Sequence, residues 1–141
     1  MLPWLSSPML LVALTQQSAQ LPPMGNTPQE RSSQVVRLEQ AKDYKGLAAH
    51  ARAWIDQHPD DAEAWTSLGV AQFNLHEEAG ALESLSKAVT LKPDLKRAWY
   101  ILGQIHHQRH DQPATMNCYH QLQKLDAGLA RHFYRNVLGR W

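Results

Sequence analysis

A repeat period of 34 residues constrains this chain more than any other feature. Trp65, Leu68 and Gly69 return as Trp99, Leu102 and Gly103, while Ala64 returns as Ala98, Leu85 as Tyr119, Pro59 as Pro93 and Asp60 as Asp94. That length is one helix-turn-helix unit, too small to bury its own apolar face, so copies must stack and share a core. Within a unit, Trp and Leu three residues apart fall on one helix face. The glycine that follows them has no side chain, which lets the second helix approach closely. Ala81 and Ala88 supply the small residues on the other side of that contact. Pro59 and Pro93 end second helices, because proline has no N–H to continue the ladder and restrains the residue before it. Asp60 or Asp61, and Asp94, then stand where a carboxylate accepts the free amides of the next helix, a structural rather than catalytic duty.

These residues resemble the tetratricopeptide repeat family. Between Ala62 and Leu95 its eight signature places hold Trp65, Leu68, Gly69, Gln72, Ala81, Leu85, Ala88 and Pro93, departing clearly only at Gln72, where an aromatic is usual. From Lys96 to Leu129 they hold Trp99, Leu102, Gly103, His106, Thr115, Tyr119, Leu122 and Ala127, so about half the pattern is kept. Counting back one period gives a degenerate unit, Pro28 to Asp61, with Arg31, Gln34 and Val35 in place of Trp, Leu and Gly. There Trp54 replaces a small alanine, and its indole is expected to fill the unit. The resemblance implies an all-α chain, a right-handed α-solenoid of about three helix-turn-helix repeats with a C-terminal capping helix. Hairpins are expected at Pro28 to Gln57, Asp61 to Leu91 and Leu95 to Leu125, with a closing helix from about Ala130 to Leu138. The repeats would then span 28–61, 62–95 and 96–129, and the cap 130–141.

Ahead of the repeats, the first 29 residues contain no charged side chain. Residues 21–28 hold three prolines and a glycine and read as a linker, since those residues cannot continue a helix. Residues 1–20 carry one unbroken apolar run, Leu10 to Leu14, far short of the ~20 residues that span a bilayer, so no transmembrane span is expected. A secretory signal would explain the run, although a basic start is missing and Pro8 adjoins it. An apolar arm packed on the array and a plain tail are the other two readings. A signal would place the protein in the periplasm or outside the cell; otherwise the cytoplasm is expected.

The net charge of +1 conceals a division. Asp56, Asp60, Asp61, Glu63, Glu77, Glu78 and Glu83 meet no Lys or Arg between Arg52 and Lys87, whereas from Lys96 onward seven basic residues face only Asp111 and Asp126. Such a gradient steers a partner of matching polarity, or is simply a solvated surface. Phe133, Tyr134 and Trp141 interleave with the C-terminal basic residues, but no dense basic stripe exists, so nucleic-acid binding is not expected. Cys118 is the only cysteine and reads as a buried thiol, which excludes an internal disulfide and the zinc spacings built on cysteine pairs. His106 and His110 share a helix face beside His107, yet two ligands make no metal site without a third. No phosphate loop, nucleophile elbow or catalytic triad can be read, so no enzyme activity, catalytic residue or cofactor is expected.

What remains is binding. By the resemblance, the first helices line a concave groove that holds a protein partner's peptide or helix. The expected groove residues are Val70, Phe73, Asn74, Arg97, Tyr100, Ile101, Gln104 and His107. Phe73, Tyr100 and Ile101 are large residues turned away from the Trp-Leu seams, and Arg97 is the expected contact for a partner's carboxylate. A competing reading has these side chains packing against neighbouring first helices or against the N-terminal arm folded back into its own groove. Two functions stay open: an adaptor or assembly factor that uses the groove, and a small subunit held permanently in a larger complex by its N-terminal arm or convex face.

Overall fold

The computed structural model describes residues 27–140, and all of their regular structure is helical. The expectations for residues 1–20, for most of the linker and for Trp141 lie outside the described residues. The chain divides into two compact units, Met1–Val36 and Arg37–Trp141.

Helix α1 (Pro28–Gln40) begins in the first unit and ends in the second. Its start is a capping box: the Glu30 N–H donates to Thr27 Oγ1, and the Glu30 carboxylate accepts from the Thr27 N–H at 3.1 Å and from its hydroxyl at 2.8 Å. These bonds hold the Glu30 carboxyl below its ordinary pKa. Pro28 takes the first helical position, where a missing N–H costs nothing.

In the second unit α2 (Tyr44–Gln57), α3 (Ala62–Asn74), α4 (Glu78–Leu91), α5 (Lys96–Gln108), α6 (Gln112–Leu125) and α7 (Ala127–Asn136) follow, then a short 3-10 turn at Leu138–Arg140. Each helix from α2 to α7 packs on the next, and α3 also touches α5. This is an all-α helical-repeat solenoid of about three helix pairs closed by a final helix.

The period is written into the backbone. Lys42, His76 and His110, spaced 34 apart, adopt left-handed conformations with φ of 54°, 61° and 57°. After each, an N–H reaches back five residues: Asp43 to Leu38 O, Glu77 to Gln72 O and Asp111 to His106 O, at 2.9, 2.8 and 2.9 Å. This bond pattern satisfies the free carbonyls at a helix C-terminus and turns the chain into the second helix. The indoles repeat as well. Trp65 Nε1 donates to Pro59 O at 2.8 Å and Trp99 Nε1 to Pro93 O at 2.7 Å, so each signature tryptophan fastens its helix to the loop before it.

Gly69 lies against the second helix of its pair: a Cβ built there would stand 2.5 Å from Leu85 Cγ. Gln72, the departure from the family pattern, is buried and its Oε1 accepts from the Ser84 hydroxyl at 2.7 Å, while Gly80 leaves space for its amide. Trp54 is buried, and its N–H donates to Asp61 Oδ2, on the same carboxylate whose Oδ1 accepts the Glu63 N–H at the start of α3.

Three expectations need correction. Asp94 does not cap α5. The cap position is Leu95, which forms no side-chain cap bond and is instead buried. The second glycine notch is filled differently, because a Cβ at Gly103 would strike Phe133 Cζ at 2.5 Å, so the closing helix enters it deeper than α6 does. That helix also starts at Ala127 rather than Ala130 and ends at Asn136. The reason is Asp126, which ends α6 through its own N–H to Leu122 O and starts α7 by accepting the Leu129 N–H at 3.0 Å. One residue does the work of the four that separate α2 from α3 or α4 from α5.

Gly69→Leu is expected to overpack the α3–α4 contact and lower stability by about 1–3 kcal/mol, read by chemical denaturation. His76→Gly relieves a left-handed histidine and is expected to raise stability by about 0.5–1 kcal/mol in the same measurement.

Candidate partner-binding site

The early start of α7 lays its first two turns beside the N-terminal half of α5. Phe133 is fully buried, meeting Tyr100 edge-on at 5.2 Å between ring centroids and stacking on Tyr119 at 6.4 Å. With Leu122, Ala130 and Val137 it forms a closing core, against which Trp99, Tyr100, Tyr119, Leu129 and Leu138 pack. Above this core, α5 and α7 leave a cavity of about 540 Å³ lined by Lys96, Arg97, Tyr100, Ile101, Asp126, Leu129 and His132.

The floor is apolar, from Ile101, Leu129 and the Tyr100 ring, and the rim is charged but internally matched. Lys96 Nζ donates to Asp126 Oδ2 at 3.3 Å, and Arg97 Nη2 to Glu39 Oε1 at 2.6 Å. Tyr100 Oη shares a hydrogen bond with His132 Nδ1 at 3.0 Å. Burial raises the Tyr100 pKa, so the phenol stays neutral. Asp126 is held below its ordinary value first by the Leu129 N–H and then by Lys96.

Of the eight residues expected in the groove, Arg97, Tyr100 and Ile101 meet in this cavity, and the other five do not line it. Val70 and Ile101, at 4% and 8% exposed, are buried rather than displayed; α3 and α5 touch, so this face is partly spent on packing between first helices. Asn74 is exposed and donates to Val70 O of its own helix, while Phe73, Gln104 and His107 are half-buried. Arg97 is already paired, so a partner carboxylate must displace Glu39. Exposed pairs of this kind contribute only ~0–1 kcal/mol, and the exchange is therefore cheap. Sequence reasoning missed Lys96, Asp126, Leu129 and His132. Asp126 could have been found from its position before a run with no proline, where a carboxylate caps a helix at once.

Among the described residues no group of three or more His, Cys, Asp or Glu side chains is placed to hold a metal; His106 Nδ1 stands 3.7 Å from Asp111 Oδ2. Cys118 is buried, and burial pushes its thiol up to about 12, away from any reactive thiolate. Among the described residues no helix is long and apolar enough to cross a membrane.

A lowered carboxylate pKa stabilises the fold above the unfolded value and loses that contribution as pH falls through the folded value. The melting temperature is therefore expected to drop as pH falls below the ordinary aspartate value of 3.8. Asp126→Asn should melt lower than the parent at neutral pH, and the gap should close by about pH 2, as thermal scans across that range will show.

No family model and no curated protein matches the chain. Solved structures do. MamA from residue 41 to its end, from Desulfovibrio magneticus RS-1, superposes with a TM-score of 0.63 at 22% identity, covering 73% of this chain and 58% of that one. A MamA RS-1 double mutant gives 0.66 at 22% identity, covering 91% and 71%. This chain thus spans little more than half of the first structure and under three quarters of the second. At this identity the likeness establishes a shared helical-repeat fold.

Proposed function

We propose that this chain is a non-enzymatic protein-interaction module that holds a partner's peptide or helix on its first-helix face, with the cavity between α5 and α7 as the anchor. The observation that carries this reading is the pairing of an apolar floor with a rim of exchangeable charges. A space of about 540 Å³ accepts large apolar side chains of a partner, and their burial supplies the affinity. Lys96 and Arg97 then trade their internal carboxylates for the partner's, which sets orientation more than strength. Helical-repeat solenoids commonly present such faces to protein segments, and the likeness to MamA supports the same use here.

The test compares affinity purification from the native host using the parent chain, Leu129→Glu, Arg97→Glu and, on the exposed face of α4, Ser86→Glu. Circular dichroism checks that each variant is folded. Leu129→Glu and Arg97→Glu are expected to lose specifically co-purifying protein by about tenfold, while Ser86→Glu retains it. Full retention by both cavity variants, or loss by Ser86→Glu alone, contradicts the proposal.

A further inference from the structure

The closing helix has a second face, turned away from the core. While Phe133 turns into the core, Arg131, Tyr134 and Arg135 stand at i, i+3 and i+4 and so share the opposite side. Tyr119 of α6 joins them, its ring 5.9 Å from that of Tyr134. Together these four line a recess of about 320 Å³, and Tyr134 remains 54% exposed. An exposed ring set against a second ring, with two arginines lining the same recess, offers a partner an apolar surface and positive charge together.

From Lys96 to the end there are two acidic side chains, and both are committed elsewhere. Asp111 accepts the Ala114 N–H at the start of α6 and faces His106, and Asp126 accepts the Leu129 N–H and pairs with Lys96. Among the described residues, Arg131 and Arg135 accordingly make no ion pair. Lys124, exposed near the end of α6, adds charge of the same sign. At the α5–α7 cavity a partner carboxylate must displace an internal one, whereas here it meets arginines that form no ion pair among the described residues.

We propose that this recess docks an acidic segment of a protein partner, one in which an apolar ring is flanked by carboxylates. The ring packs in the recess against the outer faces of Tyr119 and Tyr134, and the carboxylates meet Arg131 and Arg135. A nucleic acid fits the face poorly, since two arginines on successive turns form no track along a phosphate backbone. A bilayer fits poorly too, because one exposed tyrosine offers little apolar surface to insert.

The experiment is fluorescence anisotropy with a labelled synthetic peptide in which a tryptophan is flanked on each side by two glutamates. Its glutamine counterpart, labelled oligothymidylate and phosphatidylglycerol vesicles are measured in parallel. The glutamate peptide is expected to bind saturably and to weaken with added salt. Arg131→Glu/Arg135→Glu and Tyr134→Ala should each weaken it by about tenfold or more, while Ser86→Glu leaves it unchanged. These substituted side chains are exposed, so circular dichroism should show intact helices. Equal binding by the parent and the double-arginine variant overturns the proposal. So does equal binding of the glutamine peptide, a preference for the oligonucleotide or the vesicles, or binding of none of the four probes.

Discussion

A side chain missing from α5 determines where the chain closes. At Gly69 the space left by the absent Cβ belongs to Leu85, the partner helix of the same pair. At Gly103 the same space belongs first to Phe133, from beyond the pair, with Cys118 Cβ at 3.2 Å as the secondary contact. The difference follows from residue size and position. Tyr119 stands where Leu85 stands one period earlier, and its half-buried ring stacks on Phe133 instead of filling the notch itself. Once Phe133 is seated, the faces of α7 are assigned: Leu129 and His132 look toward α5, and Arg131, Tyr134 and Arg135 look away. Both proposed surfaces depend on that one insertion.

Much of this fold was legible because its determinants are local and periodic. The Trp-Leu-Gly pattern, the prolines and the small alanines specify helix pairs without knowledge of anything distant. Even the degenerate pair keeps its turn, since the bond from Asp43 N–H to Leu38 O needs only a residue at Lys42 that tolerates the left-handed region. The start of α7 was not legible from the period, because the period presumes a proline-bearing joint and the chain has Asp126 followed by alanine. Counting places the helix at residue 130; capping chemistry places it at 127. Asp94 failed for the converse reason, as a carboxylate one place too early leaves Leu95 to be buried at the cap.

The site was legible on one helix and obscure on the other. Arg97, Tyr100 and Ile101 follow from the face of α5, and they meet in the cavity. Leu129, His132 and Asp126 depend on how α7 lies against α5, and that in turn depends on Phe133, whose role no pattern announces. Val70 and Ile101 show the limit of reading exposure from helix geometry alone. A face turned away from its own pair need not face water, because in a stacked array the first helix of the next pair covers part of it.

Charge separates what the two faces of α7 can do. Toward α5 each cation has a carboxylate, at 3.3 Å for Lys96 and 2.6 Å for Arg97, so binding there exchanges one partner for another and discriminates by shape. On the outer side Arg131 and Arg135 form no ion pair among the described residues, because the two acidic side chains of the C-terminal third serve as helix caps. Asp111 and Asp126 each accept a backbone N–H that would otherwise go unsatisfied at a helix start. The surplus of positive charge on α7 thus arises from the joints that make α6 and α7 helical. Its reach is about one Debye length, ~10 Å at moderate salt, so it guides an acidic segment only at close range. In the proposed docking, retention then falls to the two tyrosine rings, which pack on the apolar part of that segment once the charges have brought it in.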